Sequence, residues 1–272
     1  MKMKRNYLGI LSLATAAVAW AIVSPFSWAD DEDEGEIEFD EAEIFAELNN
    51  TDGDLGLHAL IDGEGWKKLE IETADERKIL KVRVKGRLKR QGLTEIFFES
   101  AEPTFDELSP EAFFRRFPEG EYEIEGETIE GDELESTTEF THLMPAPPVA
   151  SVNGEPMAEV CDDEEEDYDA PEVTAPVTIE WDEVTTSHPD LGSPRDSTNI
   201  VIHNYEVVVE AELELEEGEE FTAILSVTLP PDTTSMVIPD EFIDLSDEFK
   251  YEVLAREESF NQTATESCFL IE

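Results

Sequence analysis

The sequence predicts an all-β protein made of two β-sandwich domains, the first of which carries one short helix. Three observations support this class. Short runs of alternating apolar and polar residues recur along the chain, turn signals such as DGEG and RQG separate them, and one segment alone carries helix start and stop signals. Many short strands separated by turns are typical of β-sandwiches.

The first residues predict that the protein is exported. MKMKR is a basic start, an uncharged apolar run follows it, and Ser27 and Ala29 supply the small residues of a cleavage site. We therefore expect a signal peptide over residues 1–29. An uncleaved anchor is the alternative, because the apolar run is close to the minimum length of a membrane span. After cleavage we expect a periplasmic or extracellular protein without membrane contact.

The net charge of the chain limits the classes of partner that it can bind. The sequence has 69 acidic and 18 basic residues, which gives a formal net charge of -51. Such a surface repels nucleic acid and anionic lipid, so neither is expected as a partner. Residues 30–43, DDEDEGEIEFDEAE, hold so many acids and so few aliphatic residues that we predict a disordered acidic lead-in.

Residues 44–143 are predicted to form the N-terminal β-sandwich domain. Its strands are expected in HALIDG, KKLEIET, ILKVRVKGRL and LTEIFFES, and again after residue 120. A single helix interrupts them. Ser109 is a good N-cap, Pro110 suits the first helical position, and Pro118 ends the helix.

A basic strand is predicted over residues 81–90, KVRVKGRLKR. Strict alternation would bury Val82, Val84 and Leu88. The opposite face would then carry five cations, which form the candidate binding face: Lys81, Arg83, Lys85, Arg87 and Lys89. Two explanations are open. The cations could pair with acidic neighbouring strands and set their register, which we favour, or they could bind an anionic partner, either a polysaccharide or another exported protein.

Residues 144–272 are predicted to form the second β-sandwich domain. The proline-rich stretch MPAPPV marks its start, and an acidic insertion at 153–176 resists secondary-structure assignment. The segment YEVVVEAELEL places Tyr205, Val207 and Val209 on one face and mostly acids on the other. FTAILSVTL is its expected hairpin partner.

Four residues in this second domain carry a family resemblance. Trp181 in TIEW, Tyr205 in IHNYEV, and Leu245 six residues before Tyr251 resemble the strand B, strand C and tyrosine-corner positions of fibronectin type III domains. The resemblance implies a sandwich with Trp181 and Tyr205 in its core, a Tyr251 hydroxyl bonded back to the chain, and a binding or spacer role. The acidic insertion and the long central hairpin depart from the family's pattern.

The same resemblance implies a pairing of the only two cysteines, Cys161 and Cys268. In the fibronectin type III order, the segments that carry them run toward the same end of the sandwich. Export would bring both thiols to an oxidising compartment, so we predict that they form a disulfide.

One segment suggests a cation site. NNTDGDLG places Asn50, Asp52 and Asp54 at alternating positions, as calcium-binding loops do, although Leu55 stands where such loops need glycine. The same residues favour an Asp-Gly turn, so a calcium site and a simple turn are both open interpretations of this segment. Apart from calcium, no cofactor is expected. Asn49 and Asn261 lie in N-glycosylation acceptor motifs.

The sequence offers no catalytic signature. It has no Gly-x-Ser-x-Gly elbow, no phosphate-binding loop and no His-Glu-x-x-His, and its four histidines lie far apart. We therefore predict an exported, non-enzymatic binding or scaffolding protein. The alternative is a cation-dependent enzyme or carbohydrate-active accessory protein with its site in the N-terminal domain. A concave site with converging polar groups would favour that alternative.

Overall fold

The computed structural model describes residues 37–161, 168–214 and 220–272. The predicted signal peptide at 1–29 lies outside these residues, as do the first part of the predicted lead-in and residues 162–167 of the acidic insertion.

The all-β class is confirmed, since strands dominate both halves of the described chain. The elements of the N-terminal half are β1 (Glu41–Asn49), β2 (Asp54–Glu72), β3 (Lys78–Arg83), a 3-10 helix (Leu88–Arg90), β4 (Leu93–Glu99), α1 (Pro110–Arg116), β5 (Gly120–Thr128) and β6 (Glu133–Phe140). Those of the C-terminal half are β7 (Ala150–Val152), β8 (Glu155–Pro156), β9 (Glu172–Val173), β10 (Thr178–Trp181), β11 (Ile202–Glu214), β12 (Glu220–Leu229), β13 (Ser235–Val237), α2 (Asp240–Ile243), β14 (Glu248–Glu257) and β15 (Gln262–Ile271).

One large sheet runs through both halves. Its strand order is β12-β11-β14-β15-β1-β2-β5-β6, with β3 and β4 paired to β2 and β9 paired to β15. The two halves meet where β1 and β15 pair in parallel, with Glu47 opposite Gln262 and Asn49 opposite Ala264. A second sheet has the order β13-β10-β7-β8.

The core of the N-terminal half forms around β2, a strand of 19 residues. The first part of β2 pairs with β1 and β4, and the second part pairs with β3 and β5. Trp66 lies near the change of neighbours and is fully buried. The predicted helix is confirmed as α1: the Ser109 side chain accepts a hydrogen bond from the Ala112 N–H, Phe113 is buried, and the helix ends before Pro118.

The C-terminal half is a sandwich. The smaller sheet packs on β11 and β14, and the rings of Trp181 and Tyr205 lie 5.5 Å apart in the core between them. The alternation predicted for β11 is confirmed, because Tyr205, Val207 and Val209 are all fully buried. The predicted tyrosine corner is wrong. Tyr251 is buried, but in the described chain its hydroxyl makes no hydrogen bond to the backbone near Leu245, which follows the helical turn of α2 and is itself exposed.

Part of the predicted disordered lead-in belongs to the fold. Phe39 is buried and packs against Gly63 and Gly126, and β1 already begins at Glu41. The acids of this segment alternate with apolar residues, so the strand can turn its acids outward while its apolar side chains enter the core.

The predicted disulfide is confirmed. Cys161 and Cys268 are bonded, with their Cα atoms 5.7 Å apart. Two further contacts tie the acidic insertion to the same strand: Ala158 donates its N–H to the Ser267 hydroxyl at 2.8 Å, and β9 pairs in parallel with the end of β15. No helix within the described residues is both long and apolar enough to cross a membrane.

Candidate functional site

The basic segment forms a strand only in part. β3 ends at Arg83, Gly86 adopts a left-handed φ of 67°, and residues 88–90 form the 3-10 helix. The prediction of one strand over residues 81–90 is therefore wrong beyond Arg83, because the left-handed glycine breaks the extended backbone. Val84 is buried as expected, whereas Leu88 is 44% exposed.

The five cations differ in their surroundings. Lys81 lies on β3 and its Nζ is 2.5 Å from a carboxylate oxygen of Glu70. Within the described residues, none of the other four has a carboxylate within 4.0 Å, and all four are exposed: Arg83, Lys85, Arg87 and Lys89. Internal pairing thus accounts for Lys81 alone. We call Arg83 together with residues 85–90 the basic loop.

Glu70 is the acidic centre of this part of the sheet. Its side chain is only 4% exposed, and its carboxylate contacts the ammonium groups of Lys68, Lys78 and Lys81. Hydrogen bonds from Lys78, Lys81 and Lys68 hold the pKa of Glu70 well below its usual range. The carboxylate therefore joins β2 to β3 by charge as well as by the backbone ladder.

A Glu70→Gln exchange is expected to lower the melting temperature at neutral pH, because three lysines would lose their shared counter-charge. Since the folded pKa of Glu70 lies below the ordinary value of 4.5, its stabilisation is present above that pH and is lost as the pH falls further. Melting curves of the wild type and the variant should accordingly converge at low pH. Glu72→Gln, which removes one contact to Lys78, is the control and should have a smaller effect. Parallel curves at every pH would contradict this role.

The suggested calcium residues lie in the turn between β1 and β2. The Asn49 side-chain oxygen accepts the N–H groups of Thr51 and Asp52, and Gly53 has a left-handed φ of 69°, so the predicted turn is present. Asn50 Oδ1 lies 3.1 Å from Nε2 of His188, and Asp54 opens β2. Calcium at Asn50, Asp52 and Asp54 stays a prediction.

A second site lies where the two halves of the large sheet meet. The outer faces of β11, β14, β15, β1, β2 and β4 enclose a concavity of about 280 Å³. Its charged walls combine four carboxylates with two basic groups: Glu47, Glu99, Glu206, Glu252, His58 and Arg256. We call this site the acidic concavity. Concave surfaces with converging polar groups are the usual places where proteins bind ligands.

His58 is the most buried polar group of the acidic concavity. It is 1% exposed, and its ring lies between two carboxylates, with Nε2 2.7 Å from Glu102 Oε1 and Nδ1 3.6 Å from Glu47 Oε2. The ring of Phe45 lies 5.4 Å from the imidazole and that of Phe97 6.1 Å from it. The imidazole is thus held in place by both its polar and its aromatic neighbours.

The carboxylates around His58 repel one another. Burial, followed by the charges of Glu47 and Glu266, raises the pKa of Glu252 to about 8. Burial also raises the pKa of Glu47, against the opposing effect of His58. The pKa of Asp54 is raised to about 6, by burial and by the charges of Glu102 and Asp52. Burial and the charges of neighbouring carboxylates thus act in the same direction on all three acids, so this part of the surface favours added positive charge.

Sequence patterns did not identify this site, because its members are far apart in the chain. Glu47 and His58 lie on neighbouring strands, but Glu102 follows β4, 44 residues after His58. No local spacing connects them. The one available signal was His58 itself, a polar residue inside the apolar run LGLHALI.

No protein-family model and no curated protein matches the chain. Similar solved structures include a tetra-tandem repeat from the extending region of a large adhesion protein, with 9% identity and a TM-score of 0.24, over 85% of this chain and 49% of that one. A 1.5-MDa bacterial ice-binding adhesin has 9% identity and a TM-score of 0.22, and the match covers 88% of this chain and 66% of the adhesin chain. The BSP domain of a biofilm-associated protein has 13% identity and a TM-score of 0.23, and the match covers 86% of this chain and 29% of that chain. Scores this low carry no argument about function, and the chain spans less than two thirds of each of these three structures.

Proposed function

We propose that the protein is an exported binding module that docks an anionic partner through its basic loop. One observation carries the proposal: in a chain with a net charge of -51, four neighbouring cations are exposed and, within the described residues, have no carboxylate oxygen within 4.0 Å. With 69 acids in the chain, internal partners would be easy to supply. Exposed charges of one sign favour encounter with a surface of the opposite sign.

Two further features support parts of this proposal. The Cys161–Cys268 disulfide is typical of proteins that leave the reducing cytosol, which supports export to the periplasm or the cell exterior. The packing of Trp181 on Tyr205 supports the fibronectin type III resemblance of the C-terminal half, and with it a spacer or scaffold role.

Docking is tested with the variant Lys85→Glu/Arg87→Glu and the probe polygalacturonate, an acidic polysaccharide. Each exposed ion pair contributes roughly 0.2–1 kcal/mol, so losing two pairs and adding two repulsions should weaken binding about tenfold or more. The affinity of the wild type should fall with added salt. Melting should be unchanged, because both side chains lie outside the strands.

Arg115→Glu/Arg116→Glu is the matched control. It makes the same change in net charge at two exposed cations of α1, which are not part of the basic loop, and should leave binding intact. Self-association of the chain, measured by sedimentation, would identify an acidic protein surface as the partner instead of a polysaccharide. Equal weakening by both double variants would contradict docking at the basic loop.

The acidic concavity favours a second candidate function, a cation-dependent enzyme or carbohydrate-active accessory protein. Its support is the convergence of Glu47, His58 and Glu252 on one concave surface beside the N-terminal half. Cation-dependent turnover of a polysaccharide that is abolished by Glu47→Gln would establish this function in place of simple docking.

A further inference from the structure

We propose that Glu47, His58 and Glu102 form a binding site for one divalent transition-metal ion of the zinc class. The three side chains offer one imidazole nitrogen and carboxylate oxygens, a mixed set that zinc and its neighbours accept. Calcium and magnesium prefer sets made of oxygen alone, so the buried imidazole distinguishes this site from the turn at Asn50, Asp52 and Asp54.

The geometry brings the ligand atoms together. One ligand atom of each side chain lies within 4.8 Å of those of the other two. Glu102 lies beside Nε2 of His58 and Glu47 beside Nδ1, so an ion bound by Nε2 and Glu102 requires the Glu47 side chain to turn toward it. His58 Nε2 and Glu102 Oε1 lie 2.7 Å apart, at the distance of a hydrogen bond, which places a proton between them. A metal ion would replace that proton, because both atoms present lone pairs once it has left. Glu47 and His58 stand on β1 and β2, which pair directly, so the sheet holds two ligands rigidly.

Gly56 provides independent evidence that the surface of β2 accommodates the Glu102 carboxylate. A Cβ added at Gly56 would lie 2.0 Å from Glu102 Oε1, well inside contact distance. The backbone of Gly56 is not in the left-handed region, so its conformation does not require glycine. What the missing side chain provides is room for the carboxylate against β2.

The residues around the three proposed ligands hold them in position, and the acidic concavity connects them to solvent. Gln262 donates a hydrogen bond to the Glu47 carboxylate and orients it, as residues behind a metal ligand usually do. Phe45 and Phe97 flank the imidazole. Both Glu47 and His58 face the acidic concavity, which gives an ion and its waters a path from solvent.

The test is titration of the folded full chain with Zn²⁺ by calorimetry, and with Co²⁺ by visible absorption, in excess Ca²⁺ to occupy oxygen-only sites. We expect one site per chain and a Co²⁺ spectrum typical of mixed nitrogen and oxygen ligands. His58→Ala should abolish that site, and Glu102→Gln and Gly56→Ala should each weaken it about tenfold or more. His203→Ala removes an exposed histidine and should leave binding unchanged.

These variants distinguish Zn²⁺ binding at a defined site from nonspecific Zn²⁺ binding to an acidic surface. If His58→Ala does not fold, Gly56→Ala and Glu102→Gln decide the question, with circular dichroism as the check on folding. Equal Zn²⁺ binding by the wild type and these two variants, or equal loss in His203→Ala, would overturn the proposal. The inference is independent of docking: these variants should still bind polygalacturonate, and the basic-loop variant should still bind Zn²⁺.

Discussion

Replacing Asn261 by alanine is expected to lower the free energy of unfolding by about 3 kcal/mol or more, because each buried backbone group that loses its partner costs about 1–3 kcal/mol. The Asn261 side chain is fully buried. Its oxygen accepts the N–H of Ala46 at 2.7 Å, and its amide donates to the carbonyls of Thr141 at 3.0 Å and Leu143 at 3.1 Å. Asn261 directly precedes β15, and its side chain joins this point of the chain to β1 and to the segment between the two halves.

The measurement is thermal and urea unfolding of Asn261→Ala beside the wild type. A loss of this size corresponds to a fall in melting temperature of roughly 6–12 °C for a chain of this length. Asn204→Ala is the matched control: its half-buried side chain makes no hydrogen bond in the described part of the chain, and the exchange should cost well under 1 kcal/mol. Equal stability of the two variants would show that Asn261 does not connect the halves.

Removing the disulfide is expected to have a similarly large effect. Cys161 and Cys268 are 107 residues apart, and closing a loop of this length stabilises the fold by about 4–5 kcal/mol in the chain-entropy account. The double variant Cys161→Ser/Cys268→Ser should therefore unfold at much lower urea concentration than the wild type. The bond also fastens the acidic insertion to β15, so the insertion should become the first site of proteolysis once the bond is lost.

Reductant provides the control for this prediction. Dithiothreitol should move the wild-type transition toward that of the double serine variant and leave the variant itself unchanged. If the wild type and the variant unfold at the same urea concentration without reductant, the bond contributes nothing to stability. A shift of the variant by dithiothreitol would indicate an effect unrelated to this bond.

Local patterns predicted the elements whose causes are local. The Ser109 cap, the proline at the first position of α1 and the alternation of β11 each involve neighbouring residues, and each was confirmed. Gly86 shows the limit of such patterns. The alternation of residues 81–90 is regular, yet the strand ends at Arg83, three residues before the left-handed backbone of this glycine.

Long-range contacts could not be predicted in the same way. Asn261 carries a glycosylation motif, which usually marks an exposed loop, but its side chain is fully buried between segments that are distant in the chain. The metal-ligating group has the same property, since Glu102 reaches His58 only through the pairing of β2 with β4. The disulfide was an exception because the fibronectin type III resemblance supplied a topology in which two distant cysteines meet.

The parallel pairing of β1 with β15 has a consequence for biosynthesis. Glu47 leaves the ribosome 215 residues before Gln262, its neighbour in the sheet. During that interval the outer edge of β1 has backbone groups without strand partners, and such edges are prone to pair with other chains. Pairings of this sequence separation also form slowly. The N-terminal half therefore depends on the arrival of residues 262–264 to complete its sheet, and nascent chains need protection at the β1 edge until then.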